Sequence, residues 1–118
     1  LESNDLRLIT DHAVKADQIT DYNGYVYLYD RSFGFTVLDR YGAFKTTLAF
    51  PVMQSLSFTP TAVYGFNQNE MNRLDLNLKI SSLVQLPEVF TNAISVRVVH
   101  PYIYLLTESG VSVYRLPE

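Results

Sequence analysis

Tyr25-Val26-Tyr27-Leu28-Tyr29-Asp30, Ala62-Val63-Tyr64-Gly65-Phe66-Asn67 and Tyr102-Ile103-Tyr104-Leu105-Leu106-Thr107 superimpose by residue type. Their central tyrosines, at 27, 64 and 104, are spaced by 37 and 40 residues. Eight positions before each tyrosine stands an aliphatic residue: Ile19, Leu56 and Val96. Four positions before stands a turn former: Asn23, Pro60 and His100. A second alternating run follows each segment, beginning at Phe35, Met71 and Val111. The stretches 39–51 and 75–87 each carry one more, Phe44–Phe50 and Lys79–Leu86. Apolar residues recur with a period of two throughout, which is the strand signal. Nine Tyr and seven Phe suit pleated, half-buried surfaces. The chain reads as all-β.

Each unit holds four short strands in 37–40 residues, the size of one blade of a β-propeller. A blade is covered on both faces by its neighbours, so both alternating sets should be apolar. They are: Val26, Val63 and Ile103 on one side, Tyr27, Tyr64 and Tyr104 on the other. A sheet with one solvated face would carry polar residues on that side. The alternative is a β-sandwich with evenly spaced hairpins.

Leu1-Glu2 aligns with Leu38-Asp39, and Arg115 to Glu118 ends at the same point of the cycle. Residues 1–13, with the run Leu6-Arg7-Leu8-Ile9-Thr10, are therefore expected to form the outer strand of another blade. Blades are expected over 14–51 and 52–87, and 88–118 should be a blade lacking its outer strand. The whole of 1–118 is then one propeller segment, half of a six-bladed ring. Three blades are too few to close, and the two end faces would be large apolar patches. The expected partner is a second copy completing the ring, or the missing blades of a longer chain. Leu1 in place of an initiator Met fits a processed or trimmed piece.

The units, with their Tyr-Val-Tyr-Leu and Gly-Phe-Thr-Val-Leu-Asp patterns at Tyr25–Leu28 and Gly34–Asp39, resemble six-bladed NHL-type propellers of bacterial envelope proteins. The chain departs from WD40 repeats, having no Trp, and from kelch repeats, having no double Gly. The resemblance implies a propeller that binds partners or ligands across a central channel, and a periplasmic or cell-envelope location. It transfers no catalytic residue.

Composition narrows the chemistry further. The 118 residues are 47% hydrophobic and 18% charged, which excludes a disordered tail. A net charge of −3 offers no footprint for nucleic acid. No apolar stretch approaches the roughly 20 residues of a membrane-spanning helix. Without Cys there is no disulfide, thiolate metal site or thiol nucleophile. His100 reads as a turn residue before Pro101. His12 stands near Asp11, Asp17 and Asp21, yet one His with scattered carboxylates falls short of a convergent metal site. No metal and no cofactor is expected. Asp39 and Asp75 are equivalent by repeat, and turn geometry explains them more simply than paired-acid catalysis. Asp30-Arg31 and Asp39-Arg40 could pair across their hairpin.

The first strand of each unit should line the channel: Asp17–Tyr22, Gln54–Thr59 and Ile94–Val99. The groups it offers are Gln18, Thr20, Ser55, Ser57, Ser95 and Arg97, which suit hydrogen bonding to a ligand better than proton transfer. No catalytic residue is assigned. The function expected is a non-catalytic binding or scaffolding module. Alternatives are a propeller-type lyase or hydrolase completed by other blades, and a structural β-assembly.

Overall fold

The chain reverses first at Asn23 and Gly24, whose φ angles of 53° and 85° meet the demand of a two-residue type I′ hairpin turn. That turn joins β1 (Gln18–Tyr22) to β2 (Tyr25–Asp30), and the meander continues through β3 (Gly34–Asp39) and β4 (Phe44–Ala49). β5 (Ser55–Phe58), β6 (Ala62–Asn67), β7 (Glu70–Asp75) and β8 (Ile80–Val84) repeat it, and β9 (Ser95–Val99), β10 (Tyr102–Thr107) and β11 (Gly110–Arg115) begin it a third time. This computed structural model describes residues 6–68 and 70–116. Leu1, Glu2, Pro117 and Glu118, which enter the phase of the repeat, lie outside the described residues.

The protein is all-β, with three antiparallel sheets of four, four and three strands in sequential order and none closed into a barrel. The described residues contain no α-helix, and a single 3-10 turn spans Glu88–Asn92. Pairing is continuous across each sheet: Thr20, Tyr27 and Val37 stand side by side in the first, Ser57, Tyr64 and Arg73 in the second, Arg97, Tyr104 and Val113 in the third.

Two separate cores lie between the sheets. The first joins Tyr27, Tyr29, Phe35, Val37 and Leu48 of the first sheet to Val63 and Leu74 of the second. Phe58 sits among three rings here, with centroids 4.9 Å from Tyr27, 5.9 Å from Tyr22 and 6.0 Å from Phe35. The second core joins Ala62, Tyr64, Phe66 and Met71 of the second sheet to Val96, Val98, Ile103 and Leu105 of the third. The first and second sheets thus each set their tyrosine-bearing face on the aliphatic face of the sheet that follows. The middle sheet is covered on both sides, and β6 is buried from Ala62 to Phe66.

The crossovers help seal these cores. Tyr29 is buried; its hydroxyl donates to the Pro51 carbonyl at 2.6 Å and accepts from the Met53 amide at 2.9 Å. Where the first and third units carry Leu28 and Leu105, the second has Gly65. A Cβ there would collide with the Met53 side chain and the Phe50 ring, which fill the gap. Phe90, in the 3-10 turn of the second crossover, is buried against Phe66 and Tyr114.

Expected blade 14–51 contains β1–β4, 52–87 contains β5–β8, and 88–118 contains β9–β11. Residues 6–16 carry no strand, and Leu6, Leu8 and Ile9 are exposed. An outer strand over 6–10 would need a sheet to join; the outer places of the first and second sheets are taken by β4 and β8, and the segment pairs with neither. The radius of gyration is 16.6 Å, with extents of 56 × 32 × 25 Å, against about 13.5 Å for a closed domain of this length. Sheets in a row, together with the N-terminal stretch, account for the excess.

Candidate functional site

Alternation along β1, β5 and β9 puts Gln18 and Thr20, Ser55 and Ser57, and Ser95 and Arg97 on the tyrosine face of their sheets, at the margin where one sheet meets the next. The six residues therefore do not form one continuous lining. Gln18, Thr20, Ser57 and Arg97 border an open cleft of about 510 Å³ that runs across all three first strands. Ser55 and Ser95 border a second, of about 660 Å³, between β5 and β9.

These side chains are not equally available. Ser57 is buried, and its hydroxyl accepts the Val98 amide at 3.0 Å, tying the second sheet to the third. That bond satisfies an edge-strand amide that would otherwise be shut off from water. Gln18, Thr20 and Ser55 are half-buried, whereas Ser95 and Arg97 are exposed. Arg97 is the one formal charge on the larger group's cleft, and no carboxylate lines it.

The cleft has an aromatic wall that the list of polar candidates omits. Tyr22 and Phe58 stack at 5.9 Å with their planes 29° apart, and His100, in its turn, completes the rim. The signal was in the repeat itself: Tyr22 stands where the other units have Thr59 and Val99, and Phe58 where they have Asp21 and Val98. Positions that change chemistry between otherwise matching units are where a site departs from the scaffold.

Other candidates have local duties. His12 Nε2 stands 2.7 Å from the Gly42 carbonyl and donates to it. Asp17 accepts the Arg31 amide at 2.9 Å. Among the described residues, no group of three His, Cys, Asp or Glu side chains could hold a metal ion. Asp39 accepts the Tyr41 and Ala43 amides, each at 2.9 Å, and Asp75 accepts those of Asn77 and Leu78 at 2.9 and 2.8 Å. These are turn-holding carboxylates. The backbone N–H groups, Ala43 foremost for Asp39 and Leu78 for Asp75, hold both below the usual carboxylate range. Asp30 is lowered likewise, first by the Ser32 amide. The Asp–Arg pairs expected across the first unit's hairpin do not form. Asp30 and Asp39 are engaged by their own turns, and Arg40 lies over the Tyr41 ring at 5.7 Å. Among the described residues the salt bridge is Arg73 to Asp75, at 3.2 Å.

No helix among the described residues is long and apolar enough to cross a membrane. No family model matches the chain, and no curated relative matches it. The structure is similar to that of PorZ, described as an essential bacterial surface component of the type-IX secretion system of Porphyromonas gingivalis. The TM-score is 0.57 at 18% identity, over 86% of this chain. The match spans 15% of the PorZ chain, so the likeness concerns a fold shared with one part of a much longer protein.

Proposed function

We propose that these three sheets are consecutive blades of a β-propeller, half of a six-bladed ring of the NHL type, serving as a non-catalytic binding or scaffolding module in a bacterial envelope protein. One observation carries this: both intersheet junctions have the same polarity, tyrosine face on aliphatic face, and both bring first strand beside first strand. A relation repeated in one direction generates a row or a ring, which suits a propeller and leaves the first strands around its middle. The likeness to part of a bacterial surface protein supports the envelope setting.

The ligand groups in this reading are Gln18 and Thr20, with Ser55 and Ser95 in the adjoining cleft and Arg97 at the rim. Ser57 serves the junction. Amide and hydroxyl groups beside the Tyr22–Phe58 stack favour a neutral, hydrogen-bonding ligand with an apolar side, such as an extended peptide. The test is titration of the isotope-labelled chain with a short Ser/Thr/Phe-containing peptide, followed by amide resonances. Shifts confined to β1, β5 and β9, and abolished by combined Gln18→Ala and Thr20→Val substitutions, are expected. Shifts scattered elsewhere, or cleavage of the peptide, would contradict the proposal.

A further inference from the structure

The two end faces of the row are copies of faces that are buried inside it. On the third sheet, Tyr102, Tyr104, Leu106, Val111 and Val113 are exposed at 39, 38, 40, 62 and 54%. By repeat they correspond to Ala62, Tyr64, Phe66, Met71 and Arg73 of the second sheet, most of which lie within a core. On the first sheet, Ile19 is 74% exposed and Phe44 56%, with Val26, Leu28 and Leu38 beside them half-buried. They share the face that in the second sheet presents Leu56, Val63 and Leu74 to a core. Each end therefore carries half of a junction that the chain builds twice internally.

The internal junctions also dictate what would meet if the ends came together. Ser57 faces Val98 across the second junction. The repeat places Arg97 at the position of Ser57 and Asp21 at the position of Val98. Bringing the third sheet onto a first sheet in the same register sets the Arg97 guanidinium opposite the Asp21 carboxylate, both exposed in the single chain. The two ends thus match in charge as well as in apolar character.

A third feature concerns the edge of β11. Among the described residues the third sheet stops there, where the other two continue to β4 and β8. The stretch 6–12 is not part of any sheet, yet a Cβ at Gly42 would meet the Thr10 side chain, and His12 donates to the Gly42 carbonyl in the turn between β3 and β4. One repeat further on, Lys45 and Thr46 of β4 share a cleft with Asn77 and Lys79 of the turn between β7 and β8. A shift of 37 residues carries Thr10 to Thr47 and Gly42 to Lys79. Thr10 and His12 therefore meet the first sheet at the turn equivalent to the one that β4 borders on the second, while Leu6, Leu8 and Ile9 stay exposed.

We infer that a second copy of this chain docks head to tail on the third sheet: its aliphatic face covers Tyr102, Tyr104 and Leu106, its Asp21 pairs with Arg97, and its Leu6–Thr10 segment pairs with β11. The contact is heterologous, and two of them related by a twofold axis close a ring of six sheets with no edge of β11 left open. The inference rests on the stacked-blade reading above and adds the partner, its orientation and the contacts.

Sedimentation equilibrium of the full chain at micromolar concentration tests it. The mass of two chains is expected. Ile19→Asp and Leu106→Asp, one on each end face, should each give the mass of one chain with a cooperative thermal transition retained. An equimolar mixture of the two variants should recover a two-chain species, because one of its two possible contacts is unaltered. Arg97→Asp and Asp21→Arg test the same junction from exposed polar positions, should an apolar substitution unfold the chain. Each should weaken dimerisation at least tenfold, and the two together in one chain should restore it. A wild-type monomer, a dimer indifferent to Ile19→Asp, or a charge exchange that restores nothing would overturn the inference. A folded monomer that still shows peptide shifts confined to β1, β5 and β9 would separate its failure from failure of the proposed function.

Discussion

The second and third sheets are built from the same alternation and end in different environments. Tyr64 and Phe66 are 7 and 8% exposed; their counterparts Tyr104 and Leu106 are 38 and 40% exposed. The strand sequences prescribe which residues share a face, since side chains alternate across the pleat. Whether that face is dry depends on whether another sheet stands beside it. The second sheet has one on each side, and the third has one on one side only. Identical patterning thus produces core in one place and an uncovered apolar surface in another, which is why the third sheet carries the docking inference.

The same charge placed at equivalent positions should separate the two sheets most strongly. Phe66→Asp removes a buried ring, at a cost of roughly 3–5 kcal/mol, and traps a carboxylate in an apolar junction besides. A chain of ordinary marginal stability should lose its cooperative melt. Leu106→Asp, on the open face, should leave the melt close to that of the parent when both are diluted until they are single chains. Equal losses from the two substitutions would show the third sheet's face to be as dry as the second's. Tyr64 is the less decisive site, because Arg73 stands directly across from it, with Nε 3.2 Å from the hydroxyl, and would receive a carboxylate.

A second comparison sets one crossover against the other. The first is pinned by the Tyr29 hydroxyl through two hydrogen bonds, the second by the packing of Phe90. Tyr29→Phe keeps the ring and leaves the Met53 amide and Pro51 carbonyl unsatisfied, costing about 1–3 kcal/mol. Chemical denaturation should show that loss with little change in the denaturant slope. A neutral result would mean that packing of Phe50 and Met53 holds the first crossover as well. Burial, foremost, raises the Tyr29 hydroxyl above the ordinary tyrosine value, so the phenol should stay protonated through mildly alkaline pH.

The smallest effect separates the two four-stranded sheets from the three-stranded one. Asp39 and Asp75 close equivalent turns and are held below the usual carboxylate range, whereas the third sheet has no corresponding turn among the described residues. A carboxylate whose folded value is depressed contributes stability that is present above its unfolded value and lost as pH falls through the folded one. Melting temperature should therefore decline on acidification below about pH 4. Asp39→Asn with Asp75→Asn should flatten that decline while keeping most of the turn bonds. An unchanged acid limb in the double variant would assign the decline to other groups.

How much of this was legible beforehand varies by element. The strands over Tyr25–Asp30, Ala62–Asn67 and Tyr102–Thr107 followed from period-two alternation, and the Asn23-Gly24 turn from the positive φ that those residues tolerate. The turn role of Asp39 and Asp75 followed from their equivalence by repeat. The candidate site was legible only in part. Gln18 and Thr20 were named from alternation and do reach the cleft, but Ser57 is spent on the Val98 amide and Tyr22 and Phe58 were not foreseen. Bonds between sheets join residues some 40 positions apart, and no local pattern encodes which edge amide a hydroxyl will meet.

By itself the amino-acid sequence determined the strand class and the residues that share each face, because pleat alternation and turn preference act over two to four residues. Tertiary structure alone decided that the sheets stack in one direction, that Gly65 leaves room for Met53 and Phe50, and that the outermost faces stay uncovered. Those outcomes depend on surfaces meeting in space, where volume, hydrogen-bond satisfaction and charge are judged between partners distant along the chain.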